Sequence, residues 1–129
     1  MHRLLFPKQD VALPIKPVVG LWARMRGFSG QTSSGGYGLL FFIPRGRDPA
    51  VWMRGMRFAI DMVWILESEI VKILESVAPP RRRVLSLLIP YCLPRYTAGR
   101  EVDRFLEVEG GFCQRHAIRV GDQVIYEEG

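Results

Sequence analysis

One stretch near the middle of the chain, residues 58–66, is apolar on both of its alternating faces. Successive side chains of a strand point to opposite sides of a sheet, and here both sets are apolar apart from Asp61. A strand of this composition is stable only where both of its faces are covered. We therefore expect a sheet with covering structure on each side, and Asp61 is the polar exception within it.

Further short apolar runs are bounded by turn-forming residues. The sequence Glu67-Ser68-Glu69 predicts a hairpin that joins 58–66 to 70–74. The other predicted strands are 37–43, 51–54, 101–108 and 123–127, and short helices are predicted at 17–25 and within 111–118. The pattern indicates a mainly β fold, a jelly-roll-like sandwich or barrel with one or two short helices.

Length and composition limit the number of domains. A chain of 129 residues with a hydrophobic fraction of 48% can form one core without a disulfide or metal. We expect an N-terminal lead-in over residues 1–19, with an edge strand around 11–13, and a single β-rich domain over 20–129. Residues 1–8 lack the features of a signal peptide, and no apolar run reaches the roughly 18 residues of a membrane span. These observations predict a cytoplasmic protein.

The formal net charge of +5 comes from 15 Arg and 3 Lys against 13 acidic residues. Most of the arginines are scattered, but Arg81, Arg82 and Arg83 follow two prolines, a pattern typical of an exposed loop. This run is the candidate surface for a polyanion such as nucleic acid. It lacks the interleaved aromatic residues on which bases stack, so the polyanion reading is the alternative and not the preferred one.

Asp61 admits two interpretations. Its carboxylate could be buried and satisfied by backbone amides or by an arginine, which is a structural role. It could instead be the polar anchor of a pocket, with Arg54 or Arg57 as the counter-ion. In a hydrolase Asp61 would act as a base, but neither a nucleophile nor a second acid accompanies it in a recognisable motif.

Five blocks of sequence stand out by their order and spacing. They are Gly20-Leu21-Trp22, Gly38-Leu39-Leu40-Phe41-Phe42, Trp52-Met53-Arg54-Gly55-Met56, Ile60-Asp61-Met62-Val63-Trp64-Ile65 and Ile118-Arg119-Val120-Gly121-Asp122-Gln123-Val124. Together they resemble one family, catalogued as domain of unknown function 192. Members of this family typically show Gly-Leu-Met before an arginine, then Gly-Met-Leu-Phe-x-Phe, Phe-Trp-Met-Lys-Asn-Thr, Pro-Leu-Asp with an aliphatic strand, and Val-Gly-Asp-x-Val.

The resemblance implies a compact β-sandwich or barrel and no particular chemistry, because the family has no established activity. Gly55 stands where the family has Asn, and Ala59 where it has Pro. A polar site built on Lys-Asn-Thr is therefore only partly present in this chain. Either Arg24 or Arg26 corresponds to the family's arginine after Gly-Leu-Met.

The preferred functional hypothesis is a non-enzymatic module that binds a small molecule or a protein partner. Its candidate ligand-binding residues are Trp52, Met53, Arg54, Asp61 and Arg24. An aromatic ring beside a guanidinium group can hold an apolar ligand that carries an anionic group.

Cysteine and histidine offer little chemistry. Cys113 and His116 are three residues apart, but two ligands do not make a metal site, and no motif supports a Cys-His nucleophile. A disulfide between Cys92 and Cys113 would require an oxidising compartment that nothing else in the sequence suggests. We predict no catalytic residue, metal or cofactor.

Overall fold

The described residues form seven β-strands and two very short helices. A computed structural model describes residues 2–19, 28–44, 46–80 and 93–129. The strands are β1 (Arg3–Phe6), β2 (Val11–Val18), β3 (Gly38–Phe42), β4 (Ile60–Leu66), β5 (Glu69–Val77), β6 (Arg104–Glu109) and β7 (Ile125–Glu127). A 3-10 turn, Pro7–Gln9, links β1 to β2, and the helix α1 is Phe112–Arg115.

All seven strands belong to one curled sheet in the order β5-β4-β6-β3-β2-β1-β7. The pairing of β2 with β3 is parallel, and the other neighbouring pairs are antiparallel. A parallel pair needs a crossover connection, whereas antiparallel neighbours can be joined by a tight turn. The predicted mainly β fold is confirmed.

Both faces of the sheet are covered by apolar side chains. On β4, Val63 and Ile65 belong to one hydrophobic cluster, and Met62 and Trp64 belong to the other. We call these the first cluster and the second cluster. All four side chains are fully buried. The prediction that this strand is covered on both sides is confirmed.

The hairpin predicted at Glu67 and Ser68 is also confirmed. These two residues have positive φ angles of 50° and 65°, and they reverse the chain between β4 and β5. The pairing of β4 with β5 is irregular at two places, between Trp64 and Ile65 and between Ile60 and Met62. It resumes after each of them, so β5 extends to Val77, which pairs with Ile60. The predicted helical turns within 111–118 are present as α1.

Two local expectations at the N-terminal end were wrong. The strand containing residues 11–13 is not at an edge of the sheet, because β2 lies between β1 and β3. The helix predicted over 17–25 does not begin at Pro17, since Pro17 and Val18 are strand residues that pair with Leu40 and Phe41. Residues 20–25 of that prediction lie outside the described residues.

The strand predicted at 51–54 was wrong as well. Val51 forms only an isolated antiparallel bridge with Tyr96. The chain then turns at Arg54 and Gly55, where the φ angle of Gly55 is 71° and the Met56 N–H donates to the Met53 carbonyl at 3.0 Å. A left-handed residue of this kind interrupts an extended strand, and glycine adopts it without steric cost.

Candidate ligand-binding site

The turn that carries Trp52 is fixed at both ends. Val51 and Tyr96 exchange two backbone hydrogen bonds of 2.8 Å each, which bring the segment after residue 93 alongside the Trp52 segment. Met53 and Met56 are each 4% exposed and pack in the second cluster. The two buried methionines anchor the turn in the core. The backbone that carries Trp52 and Arg54 is therefore fixed in position.

Two arginine side chains lie close to the Trp52 ring. The guanidinium carbon of Arg95 is 4.1 Å from the centroid of the Trp52 ring, and that of Arg54 is 5.6 Å from it. Both distances are within the range of cation–π attraction. Trp52 and Arg54 are half-buried, whereas Arg95 is exposed. We call Trp52, Arg54 and Arg95 the indole–arginine surface.

This surface carries positive charge without a described acidic partner for Arg95. The ion pairs among the described residues are Arg3–Glu127, Lys8–Asp122 and Arg104–Asp103. A guanidinium group that stacks on an indole keeps its N–H donors at its edge, where they can bind a carboxylate or phosphate. The arrangement is therefore suited chemically to an anion with an apolar part.

Met53, another predicted ligand-binding residue, lies in the core beside this surface and not on it. Its side chain packs in the second cluster and anchors the turn there. Arg24 lies outside the described residues, as do Arg26 and the predicted polyanion-binding run of Arg81, Arg82 and Arg83.

Asp61 is placed differently from Trp52 and Arg54. It is fully buried, and alternation along β4 puts it on the side of the first cluster with Val63 and Ile65. Met53 packs on the opposite side, in the second cluster. The structure thus brings Trp52 and Arg54 together but does not bring Asp61 to them.

Backbone amides satisfy the Asp61 carboxylate. Its Oδ1 accepts the N–H of Ser76 at 2.8 Å and the N–H of Gly111 at 3.2 Å. Its Oδ2 accepts the N–H of Cys113 at 2.8 Å. These donors belong to β5 and to the start of α1, so Asp61 joins the centre of the sheet to two neighbouring segments. Of the two interpretations of the sequence, the contacts match the structural one.

Cys113 is a free, buried thiol. Burial raises its pKa well above the ordinary value, and the nearby negative charge of Asp61 raises it further. A nucleophilic cysteine requires the opposite shift, because the thiolate is the reactive form. His116 contacts Phe112, with ring centroids 4.6 Å apart, at the end of the same short helix.

Sequence reasoning missed two residues. Arg95 was not proposed, because nothing local to 93–96 shows that a bridge to Val51 brings it to Trp52. Glu107 was not proposed either, although it lies in a predicted strand beside Phe105. It is 6% exposed, and desolvation raises its pKa to about 7 despite a hydrogen bond from the backbone of Phe28. The predicted strand 101–108 also contains Glu101 and Asp103 on the same alternating face, so no signal in the sequence indicated that Glu107 is buried.

The described residues contain neither a metal-binding cluster nor a membrane-spanning helix. No three side chains of the types His, Cys, Asp and Glu lie together in an arrangement that could hold a metal ion. No helix in the described ranges is long and apolar enough to cross a bilayer.

Comparison with protein families decides the classification. The sequence model of domain of unknown function 192, described as an uncharacterised ACR, matches residues 10–126. The chain belongs to this family. The resemblance inferred from the five sequence blocks is confirmed, and the family's description assigns no activity.

Two solved structures share the fold of this family member. One, from Sinorhizobium meliloti 1021 and described provisionally as a transcription regulator, is 20% identical, with a TM-score of 0.78 over 97% of this chain and 91% of the other. A protein of unknown function from Novosphingobium aromaticivorans DSM 12444 is 18% identical, with a TM-score of 0.78 over 96% and 82%. At these identities the likeness concerns the fold alone. No curated protein sequence matches the chain.

Proposed function

We propose that this protein is a non-enzymatic binding module for a small molecule with an anionic group and an apolar body. The observation that carries the proposal is the position of the Arg95 guanidinium, 4.1 Å from the Trp52 ring centroid, with Arg54 at 5.6 Å. The proposed binding surface is therefore the indole–arginine surface, which keeps Trp52 and Arg54 from the candidates in the sequence and adds Arg95.

The chemistry of the surface favours an anion. Arginine binds carboxylate and phosphate groups through two parallel N–H donors, and such charge-assisted hydrogen bonds are roughly twice as strong as neutral ones. Stacking on Trp52 restricts the arginine side chains before a ligand arrives, which lowers the entropy cost of binding. The net charge of +5 attracts anions from solution in addition.

A binding module is favoured over a hydrolase by the state of Asp61. Both oxygens of its carboxylate already accept backbone N–H groups. A general base must reach the proton that it removes, and these contacts orient the Asp61 carboxylate towards the protein backbone.

A titration with phenyl phosphate tests the proposal, since this probe joins a phosphate to an aromatic ring. Arg95→Gln is expected to weaken binding at least tenfold, because a hydrogen bond to a charged group contributes about 1.5–3 kcal/mol. The matched control is Arg119→Gln, which removes the same charge from an exposed turn before β7. It is expected to leave the affinity within twofold of the parent protein.

Trp52→Ala separates binding from stability. The proposal requires this variant to lose affinity for phenyl phosphate while its melting temperature changes little. A large fall in melting temperature with unchanged affinity would show that Trp52 is a packing residue. If Arg95→Gln and Arg119→Gln lost the same amount of affinity for phenyl phosphate, binding would depend only on the overall charge of the protein. That result would reject a defined site at Trp52.

A salt titration with duplex DNA distinguishes this proposal from the polyanion alternative. A protein that neutralises several phosphates of nucleic acid loses affinity steeply as salt increases, because counterions are released. Titration with duplex DNA at increasing salt is expected to show only weak binding here. Tight, salt-sensitive binding that depends on Arg81, Arg82 and Arg83 would favour the polyanion alternative instead.

A further inference from the structure

Two polar groups in the second cluster lack hydrogen-bond partners. Among the described residues, neither Oε2 of Glu107 nor Nε1 of Trp64 has one. Both atoms are buried, and the two residues are 6% and 0% exposed. Most buried polar side-chain atoms in folded proteins do have a partner, so each exception needs an explanation.

The strand register places the two residues, Glu107 and Trp64, as neighbours. Met62 of β4 pairs with Glu107 of β6, and Trp64 pairs with Phe105. Glu107 and Trp64 are therefore diagonal neighbours on the same face of adjacent antiparallel strands. Such neighbours have a separation of roughly 7–8 Å, which long side chains can span.

The described basic residues do not neutralise Glu107. The Lys72 ammonium lies 5.4 Å from the Trp64 ring centroid, but it donates to the Thr97 carbonyl at 2.6 Å. The ion pairs within the described part of the chain do not include Glu107. In the sheet register Glu107 lies opposite Leu39 of β3 and Met62 of β4, and both of these residues belong to the second cluster.

A buried donor or acceptor without a partner destabilises the folded state, because it has lost its hydrogen bonds to water. Two such groups at diagonal positions point to one occupant that satisfies both. We propose that the face between Glu107 and Trp64 is an internal binding site for a small, neutral, largely apolar molecule that carries a hydroxyl or amide group. This site is separate from the indole–arginine surface and does not depend on the proposed function.

The chemistry of the pair selects this class of ligand. A hydroxyl or amide group can donate to the Glu107 carboxyl and accept the Trp64 indole N–H at the same time. An anion would be repelled by the ionised carboxyl. A cation would have to leave water for apolar surroundings with a single partner, which is costly. A pure hydrocarbon would leave both polar groups unsatisfied.

Benzyl alcohol and toluene form a matched pair of probes, because they differ mainly in the hydroxyl group. The readout is the indole N–H resonance of Trp64 in the isotope-labelled protein, identified by its loss in Trp64→Phe. Benzyl alcohol is expected to move this resonance saturably and to bind at least tenfold more tightly than toluene. The preference is expected to disappear in Glu107→Leu and to remain in Glu107→Gln, whose amide oxygen still accepts.

Trp52→Phe is the control for location. The alcohol preference must survive in this variant, since Trp52 belongs to the other surface. Failure of either probe to shift the Trp64 resonance would overturn the internal site, and so would equal affinity for the two probes. A preference that persists in Glu107→Leu would also reject it. None of these outcomes alters the phenyl phosphate test, so the two proposals fail separately.

Discussion

The Asp61 carboxylate accepts the backbone N–H of Cys113 at 2.8 Å and thereby ties the buried strand β4 to the first turn of α1. Two further amides, those of Ser76 and Gly111, complete the cluster. One side chain thus holds three segments that are distant in sequence, and this explains why a charged residue is retained in an otherwise apolar strand.

Asp61→Ala is expected to lower the free energy of unfolding by about 1–3 kcal/mol, because the buried N–H of Cys113 loses its acceptor and the part-buried N–H groups of Ser76 and Gly111 lose theirs as well. Asp61→Asn keeps one acceptor oxygen and should be less damaging. Urea unfolding followed by circular dichroism measures both losses. Asp10→Asn is the control, since Asp10 is exposed and in a left-handed conformation that Asn tolerates. A loss in Asp61→Ala no larger than in the control would contradict the role assigned to the carboxylate.

The buried Glu107 carboxyl is expected to contribute less to the stability of the protein as the pH rises. Desolvation raises the folded-state pKa from 4.5 to about 7, so the folded chain holds the proton more tightly than the unfolded chain. The contribution of Glu107 to stability is therefore greatest below about pH 4.5 and is lost as the pH rises through about 7, a loss of roughly 3 kcal/mol from this one group. Glu107→Gln should remove that contribution, as urea unfolding at pH 5 and pH 8 would show. Identical pH profiles for the parent and the variant would rule out Glu107 as the source.

Cys113 is expected to react slowly with thiol reagents in the folded protein. Burial and the Asp61 charge both raise its pKa, so the thiolate is scarce and shielded. In a Cys92→Ser background, labelling with iodoacetamide at pH 8 should be slow without denaturant and should accelerate strongly in urea. Rapid labelling of the folded protein would contradict the described burial.

Gly110 is packed against the backbone that precedes β4. A methyl group at this position would lie 3.0 Å from the Ala59 carbonyl oxygen, which already accepts the Gly110 N–H at 3.0 Å. Gly110→Ala is expected to cost about 1–3 kcal/mol, the range for overpacking, measured by thermal unfolding. Gly30→Asn is the comparison, because Gly30 has a φ of 82° and nothing within 4 Å of an added Cβ. A loss no greater in Gly110→Ala than in Gly30→Asn would indicate that the contact is relaxed easily.

Much of the central sheet was predictable from local sequence. Alternation identified β4 as a strand with two covered faces, and Glu67-Ser68-Glu69 identified its hairpin with β5. The amide-satisfied state of Asp61 was one of two stated interpretations, but the donors could not be named, because Gly111 and Cys113 are about fifty positions away.

The remaining features depend on contacts that no local pattern encodes. β1 is four residues long and gains its place by pairing with β2 and β7. The turn at Gly55 broke a strand that composition alone favoured. Arg95 reaches Trp52 only because Tyr96 pairs with Val51, so the arginine partner was missed while the Trp52–Arg54 pair was found.

The pairing of β1 with β7 has a consequence for folding kinetics. Arg3 and Glu127 face each other across that pair although they are 124 positions apart in sequence. During synthesis, the outer edge of β1 must therefore stay open until β7 has been made, and an open strand edge is a template for association with other chains. Sheets assembled from such distant pairs also fold slowly. A nascent chain of this protein is thus most exposed to aggregation just before β7 is complete.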